Sequence, residues 1–230
     1  MSIWHGLAMD IKNNIKQFHD YLNPNSCGLV AVSKTKPISL IREAYDAGQR
    51  LFGENKVQEL VEKSTQLPDD VEWHMIGHLQ SNKVKYIAPF VSLIHAADSL
   101  KLLKEINKQG KKVGRVIHCL LQVHIAQEDT KFGLSPQELM ELVGLPAVAE
   151  MTHVKILGLM GMATNTPNED QVREEFKGLK VLFDQISASA TPSNIEMKEL
   201  SMGMSGDYPI AVQEGSTLVR VGSAIFGARN

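Results

Sequence analysis

Apolar residues along this chain switch between a helical period and short continuous runs, and the switching itself predicts an architecture. Ile3, Leu7, Ile11, Ile15 and Phe18 recur at helical spacing, so an amphipathic helix is expected ahead of everything else. Gly28 to Ser33 is a short apolar run closed by Lys34 and reads as a buried strand. Pro37 then opens a helical segment from Ile38 to Asp46, with Gly48 as its stop. A second strand at about Arg50 to Gly53 leads into a helix through Val57, Leu60 and Val61. Val71 to Ile76 follows as a strand and Ser81 to Ala88 as a short helix. Val91 to His95 is the fourth strand, and a helix from about Ser99 to Gln109 is expected to stop at Gly110.

The fifth strand, Val116 to Ile125, is the clearest of all. Ser135-Pro136-Gln137-Glu138 carries a capping box with proline at the first helical position, so a helix starts there. Strand six is about Val154 to Leu159. Thr166-Pro167-Asn168-Glu169 repeats the capping device and opens a long helix with Val172, Phe176, Leu179 and Phe183 inward. Strands at about Ile195 to Leu200 and Thr217 to Val221 complete a set of eight.

Apolar strands alternating with helices suit a parallel sheet covered on its faces. A doubly wound dinucleotide-binding sheet needs GxGxxG after the first strand, and Ser33-Lys34-Thr35-Lys36-Pro37 stands there instead. An α/β fold of the closed (β/α)8 class, a TIM barrel with an extra amino-terminal helix, is therefore favoured. No linker or composition shift divides the chain, so one domain over residues 1–230 is expected.

Composition changes this picture little. With 24 Lys plus Arg against 26 Asp plus Glu, the charge balance lacks the basic excess that a broad nucleic-acid surface needs. The basic cluster Lys104, Lys108, Lys111, Lys112 and Arg115 reads as a solvated helix end. Cys27 and Cys119 lie in or beside apolar runs without metal-ligand spacing, so reduced buried thiols and a cytoplasmic location are expected. No secretory leader and no apolar stretch of membrane-spanning length is apparent.

In a barrel, function gathers at the carboxyl ends of the strands, with phosphate sites frequent after the last two. Alternation puts Val30, Val32 and Lys34 on one face, so Lys34 can be the last inward residue of its strand. There it is either a solvated strand-end lysine or a nucleophile toward carbonyls. Ser201-Met202-Gly203-Met204-Ser205-Gly206 and Gly222-Ser223 end the last two strands. Small residues and hydroxyls in such loops serve an anion as well as they serve tight turns. Arg220 shares parity with Leu218 and Gly222, and a buried guanidinium requires acceptors. These are a carboxylate such as Glu54 or Glu199, or a ligand heteroatom. His74 and His78 stand four apart, but Gly77 interrupts them and no Glu follows His74, which disfavours a metal site. His118 and His124 are expected to be packed or polar-capped, and Met160, Met162, Met202 and Met204 to fill the barrel rim.

Several segments together carry a resemblance. They are Ala31 to Pro37, Phe52 to Asn55, Trp73 to Lys83, Glu128 to Gly133, Leu200 to Ser205 and Gly215 to Gly227. In this order they resemble the YggS/PROSC family of pyridoxal phosphate homeostasis proteins over nearly the whole chain. The resemblance implies a barrel like the amino-terminal domain of alanine racemase, binding pyridoxal 5′-phosphate (PLP). It implies that Lys34 forms the Schiff base and that Ser201, Gly203, Ser205, Gly222 and Ser223 lie in the phosphate loops. It also implies that Arg220 stands beside the pyridine nitrogen, and that Asn55 and His78 line the mouth. Lys36 and Lys131 match lysines linked to cofactor handling.

An arginine at the ring nitrogen is donor-only and weakens the electron sink on which PLP enzymes rely. A racemase also needs a second acid/base group, and Tyr208 is the one tyrosine expected near the mouth. The expectation is a monomeric PLP carrier or buffer without a catalytic role, able to deliver PLP to apo-enzymes. An amino-acid racemase or another weak PLP enzyme is the alternative. A phosphosugar-binding barrel would leave Lys34 unexplained.

Overall fold

The computed structural model describes residues 10–127 and 132–227. Ile3, Leu7, Glu128 to Lys131 and Asn230 lie outside them. Eight parallel strands close into a barrel in sequence order. They are β1 (Gly28–Val32), β2 (Leu51–Glu54), β3 (Glu72–Met75), β4 (Leu93–Ala97), β5 (Ile117–Val123), β6 (Val154–Gly161), β7 (Ile195–Ser201) and β8 (Leu218–Val221). Around them run α1 (Ile11–Leu22), α2 (Ile38–Asp46), α3 (Val57–Ser64), α4 (Val84–Ile87), α5 (Leu100–Val113), α6 (Pro136–Val143), α7 (Pro146–Ala149), α8 (Glu169–Ala188), α9 (Tyr208–Gln213) and α10 (Ser223–Phe226). Closure rests on β8 pairing with β1, Val30 facing Arg220 and Ala31 facing Val221. The (β/α)8 expectation therefore holds.

Strand alternation divides the apolar residues between two compartments. Val30, Leu93, Ala96, Leu120, Met160 and Leu218 form a small cluster inside the barrel. The opposite faces, with Ala31, Phe52, Met75, Ile94, Leu121 and Val219, join the helices in one large outer core. Burying a Leu or Phe side chain contributes about 1.5–3 kcal/mol, so this outer layer supplies most of the favourable burial. Helix α1 buries Ile11, Ile15, Phe18 and Leu22. Its Asn14 side chain donates to the Ile225 carbonyl at 3.1 Å, tying the first helix to the last.

Four local expectations change. Helix α5 runs through Gly110 to Val113, and the left-handed Gly114 (φ 66°) takes the stop. The long helix is capped by Asn168, whose side chain accepts from the Gln171 amide, while Thr166 accepts from the Asn168 amide in a turn before it. The capping box at Ser135 and Glu138 is present with both of its bonds. Strand β6 extends to Gly161 across a bulge at Gly158, where φ is +148° and a Cβ would lie 1.9 Å from the Glu199 carbonyl oxygen. Only glycine fits there. His118, expected to be packed or polar-capped, is exposed.

Candidate functional site

Lys34 follows β1 by two residues and sits half-buried at the carboxyl end of the barrel. The turn that carries it is strained, because Thr35, a β-branched residue, has φ of +64°. Buried charges beneath the turn hold that conformation. Lys63 of α3 donates to the Ser33 carbonyl at 2.8 Å, to Glu54 Oε1 at 2.8 Å and to Glu59 Oε1 at 2.6 Å. Ser33 Oγ donates to Glu54 Oε1 at 2.6 Å, and the Thr35 amide donates to Glu59 Oε1 at 2.5 Å. Glu54 and Lys63 are both buried. Burial raises the Glu54 carboxyl above 4.5, against the lowering effect of Lys63 and Ser33. Two residues on, Lys36 donates to the Phe226 and Gly227 carbonyls at 3.0 and 3.1 Å, joining this turn to the end of α10.

Arg220 faces the barrel interior from β8, in register with Val30. Neither Glu54 nor Glu199 pairs with it, since Glu54 serves Lys63 and Glu199 accepts from Thr217. Its guanidinium donates instead to Ser201 Oγ at 2.5 Å and to the Gly161 carbonyl at 3.0 Å. Ser201 Oγ lies 3.0 Å from His95 Nδ1, and His95 Nε2 lies 3.0 Å from His74 Nδ1. All four side chains are buried. Burial lowers Arg220 to about 10, so it keeps its proton at neutral pH. Burial also lowers His74 to about 4 and His95 well below 6.5, so both imidazoles are neutral.

The two glycine-serine loops close the remaining side. Gly203 has φ of +92°, and a Cβ there would meet the Ala211 Cβ at 2.5 Å, so only glycine lets the chain turn against α9. Its carbonyl accepts the Arg220 amide at 3.0 Å. The Gly222 amide donates to Ser205 Oγ at 3.4 Å, which links the two loops.

Lys34, Arg220 and these loops surround one cavity of about 280 Å³, lined also by Val32, Asn55, Ile76, Met162 and Met204. That is near the lower bound of small-ligand sites. It combines an amine able to condense with a carbonyl, a permanent cation, and small-residue loops with the hydroxyls of Ser205 and Ser223. This donor set fits a small aldehyde that carries an anionic group.

Among the residues singled out from sequence, Lys34, Lys36, Asn55, Ser205, Arg220, Gly222 and Ser223 line this cavity. Ser201 lies beneath Arg220, and Gly203 shapes the turn behind the loop; neither lines it. His78 is at the rim, 3.5 Å from Asp98 and stacked on Phe132, and lines a neighbouring hollow that shares Asn55. Tyr208 faces away, with its ring edge-on to Phe18 at 5.1 Å and to Tyr21 at 5.5 Å. Sequence reasoning left out His95 and the roles of Lys63 and Glu54. Parity with Leu93 was the available signal for His95; the Lys63–Glu54 pairing leaves no local mark. Among the described residues no cluster of His, Cys, Asp or Glu could hold a metal ion, and no helix is long and apolar enough to cross a membrane.

Comparison with known proteins agrees with this geometry. The alanine racemase, N-terminal domain family matches residues 9–230. The pyridoxal phosphate homeostasis protein of Aquifex aeolicus is 42% identical over 206 residues, covering 89% of this chain and 88% of its own. That of Haemophilus influenzae is 40% identical and covers 100% of this chain and 97% of its own. Among solved structures, PipY of Synechococcus elongatus with PLP bound superposes with a TM-score of 0.85. It is 36% identical, with 95% of this chain and 100% of that chain covered.

Proposed function

Because the chain belongs to the alanine racemase N-terminal domain family and, within it, to the pyridoxal phosphate homeostasis proteins, we propose that it binds PLP and buffers or delivers it. The observation that carries this reading is the meeting of Lys34, Arg220 and the Ser205 and Ser223 loops in one cavity.

Each residue has a part that its chemistry allows. Lys34 supplies the amine that condenses with the aldehyde and releases water, giving a Schiff base. Ser205, Ser223 and the Gly222 backbone take the phosphate, with Gly203 and the Ala211 contact setting the loop. Arg220 presents N–H groups toward the ring nitrogen and keeps that atom unprotonated, since a guanidinium accepts no hydrogen bond. Asn55 stands on the wall at the mouth, and His78 at the rim. When bound, the cofactor supplies a carbonyl for reversible amine capture.

A holding role suits this wall better than turnover does. Racemisation needs acid/base groups on both sides of the substrate carbon. Tyr208 packs against Phe18 and Tyr21, and Lys36 is engaged with the Phe226 and Gly227 carbonyls. We further propose one barrel domain over residues 1–230, acting as a monomer in the cytoplasm and supplying apo-enzymes. The buried thiols of Cys27 and Cys119 fit that compartment.

The test is direct. Purified protein mixed with PLP should turn yellow, and borohydride should fix a pyridoxyl group on Lys34, located by peptide mapping. Lys34→Ala should lose both signals. A wild-type protein that stays colourless with added PLP overturns the reading. Delivery is tested by whether loaded protein activates a PLP-dependent apo-enzyme faster than the same concentration of free PLP.

A further inference from the structure

Arg220 is a buried cation whose side-chain hydrogen bonds go to neutral groups, Ser201 and the Gly161 carbonyl, while the Asp207 carboxylate acts on it only through space. A chain of hydrogen bonds leads from it across the barrel, from β8 through Ser201 on β7 and His95 on β4 to His74 on β3. The direction of that chain follows from counting protons. Ser201 Oγ accepts from Arg220 and has one proton of its own. If His95 donated through Nδ1, Ser201 would accept twice, and its own proton would have no acceptor among the described residues. If Ser201 donates to His95 Nδ1, every group between Arg220 and His74 is satisfied. His95 then carries its proton on Nε2 and gives it to His74 Nδ1, so His74 is also the Nε2–H tautomer. In that order each bond dipole turns its negative end toward the guanidinium, and the members polarise one another cooperatively.

We propose that His95, backed by His74, is a positioning residue that orients the Ser201 hydroxyl as an acceptor and so holds Arg220 in the cavity wall with its charge undiminished. A carboxylate in the same place would neutralise the guanidinium and draw it away from the cavity. Neutral imidazoles hold it without offsetting its charge. The burial that suppresses protonation of both rings supports this arrangement, because a charged ring beside Arg220 would repel it. The proposal rests on PLP as the ligand that Arg220 faces.

Two measurements separate this proposal from that reading. In uniformly ¹⁵N-labelled protein without PLP, side-chain correlations of His95 and His74, assigned with His95→Asn and His74→Gln, should show Nε2–H tautomers. They should be unchanged between about pH 6 and pH 8. An Nδ1–H or doubly protonated His95 overturns the proposal. In PLP titrations, His95→Leu removes the acceptor and should weaken binding about tenfold, the scale of one hydrogen bond to a charged group. It should also move the absorption band of bound PLP. His95→Asn offers its side-chain oxygen where Nδ1 stood and should restore both the band and the affinity. Circular dichroism and melting confirm that each variant is folded. A folded His95→Leu with wild-type affinity and band overturns the proposal alone. A wild-type protein that binds no PLP overturns the underlying reading, and this proposal with it.

Discussion

Replacing Lys63 by methionine tests how the lysine-bearing turn is held. The change keeps the unbranched stem, one heavy atom shorter, and removes the ammonium that donates to Ser33, Glu54 and Glu59. Glu54 is then left fully buried with only the Ser33 hydroxyl as donor, and its Oε2 has no partner even in the intact protein. Breaking one side of a buried ion pair costs about 3–5 kcal/mol. For a chain of this size that corresponds to a fall in melting temperature on the order of 6–20 °C.

The loss should depend on pH with a definite sign. Burial already raises the Glu54 carboxyl above 4.5, and Lys63 is the first of the groups opposing it. Without Lys63 the folded-state value rises further, while the unfolded value does not change. Between the two values the native state binds a proton that the unfolded state lacks, so stability falls as pH rises through that window. The slope approaches about 1.4 kcal/mol per pH unit for one proton. The deficit of Lys63→Met should therefore be largest near about pH 8 and shrink toward about pH 5.5. Adding Glu54→Gln should recover part of the stability at the higher pH, since it removes the stranded charge. Denaturant melts of the wild type, both single variants and the double variant measure all of this. A Lys63→Met variant within about 1 kcal/mol of the wild type at both pH values would refute the reasoning.

Three further outcomes follow from separate parts of the molecule. Ser205→Ala and Ser223→Ala should each weaken PLP binding roughly fivefold to tenfold, the worth of one hydrogen bond, with little change in melting temperature; equal affinity in the double variant would remove these hydroxyls from the site. Burial pushes the Cys27 thiol up to about 11 and the Cys119 thiol up to about 12. Neither should react with a thiol reagent in the native protein at about pH 8, and both should react after unfolding. Gly158→Ala places a methyl group against the Glu199 carbonyl at a distance no relaxation of one residue removes, so soluble expression should be lost, whereas Gly178→Ala, with open space around it, should fold normally.

Much of the barrel and the inward face of its strands was legible because alternation and the last apolar residue of each run are local properties. Lys34 and Arg220 are the clearest cases: parity allowed both to face inward, and the structure places Lys34 at the barrel mouth and Arg220 opposite Val30 in the β1–β8 register. What eluded sequence reasoning depends on partners far apart in the chain. Ser201 and Ser205 look equivalent in one glycine-serine segment. Ser201 is the last inward residue of β7, however, and Met202 begins the loop, so the two hydroxyls face different neighbours. His74 and His78 are four residues apart, but β3 ends at Met75 and the chain turns, sending one ring into the barrel and the other to Asp98. Lys63 reads as a polar helix end until α3 folds it beneath Ser33, thirty residues away.

The buried groups around Arg220 also bear on what the barrel can do to a bound molecule. Proton transfer at neutral pH needs a group that both gives and accepts a proton within reach of the reacting atom. Among the described residues that line the cavity, the ionisable ones are Lys34, Lys36 and Arg220. Arg220 holds its proton, and Ser201 separates it from two imidazoles that burial keeps neutral. Lys36 donates to two backbone carbonyls at the end of α10, so using it as a base would first break that contact. Lys34 stands on a turn stiffened by Lys63 and by the left-handed Thr35. If Lys34 captures the aldehyde as proposed, a rigid amine facing the fixed Arg220 cation and the Ser205 and Ser223 loops would stabilise the bound state.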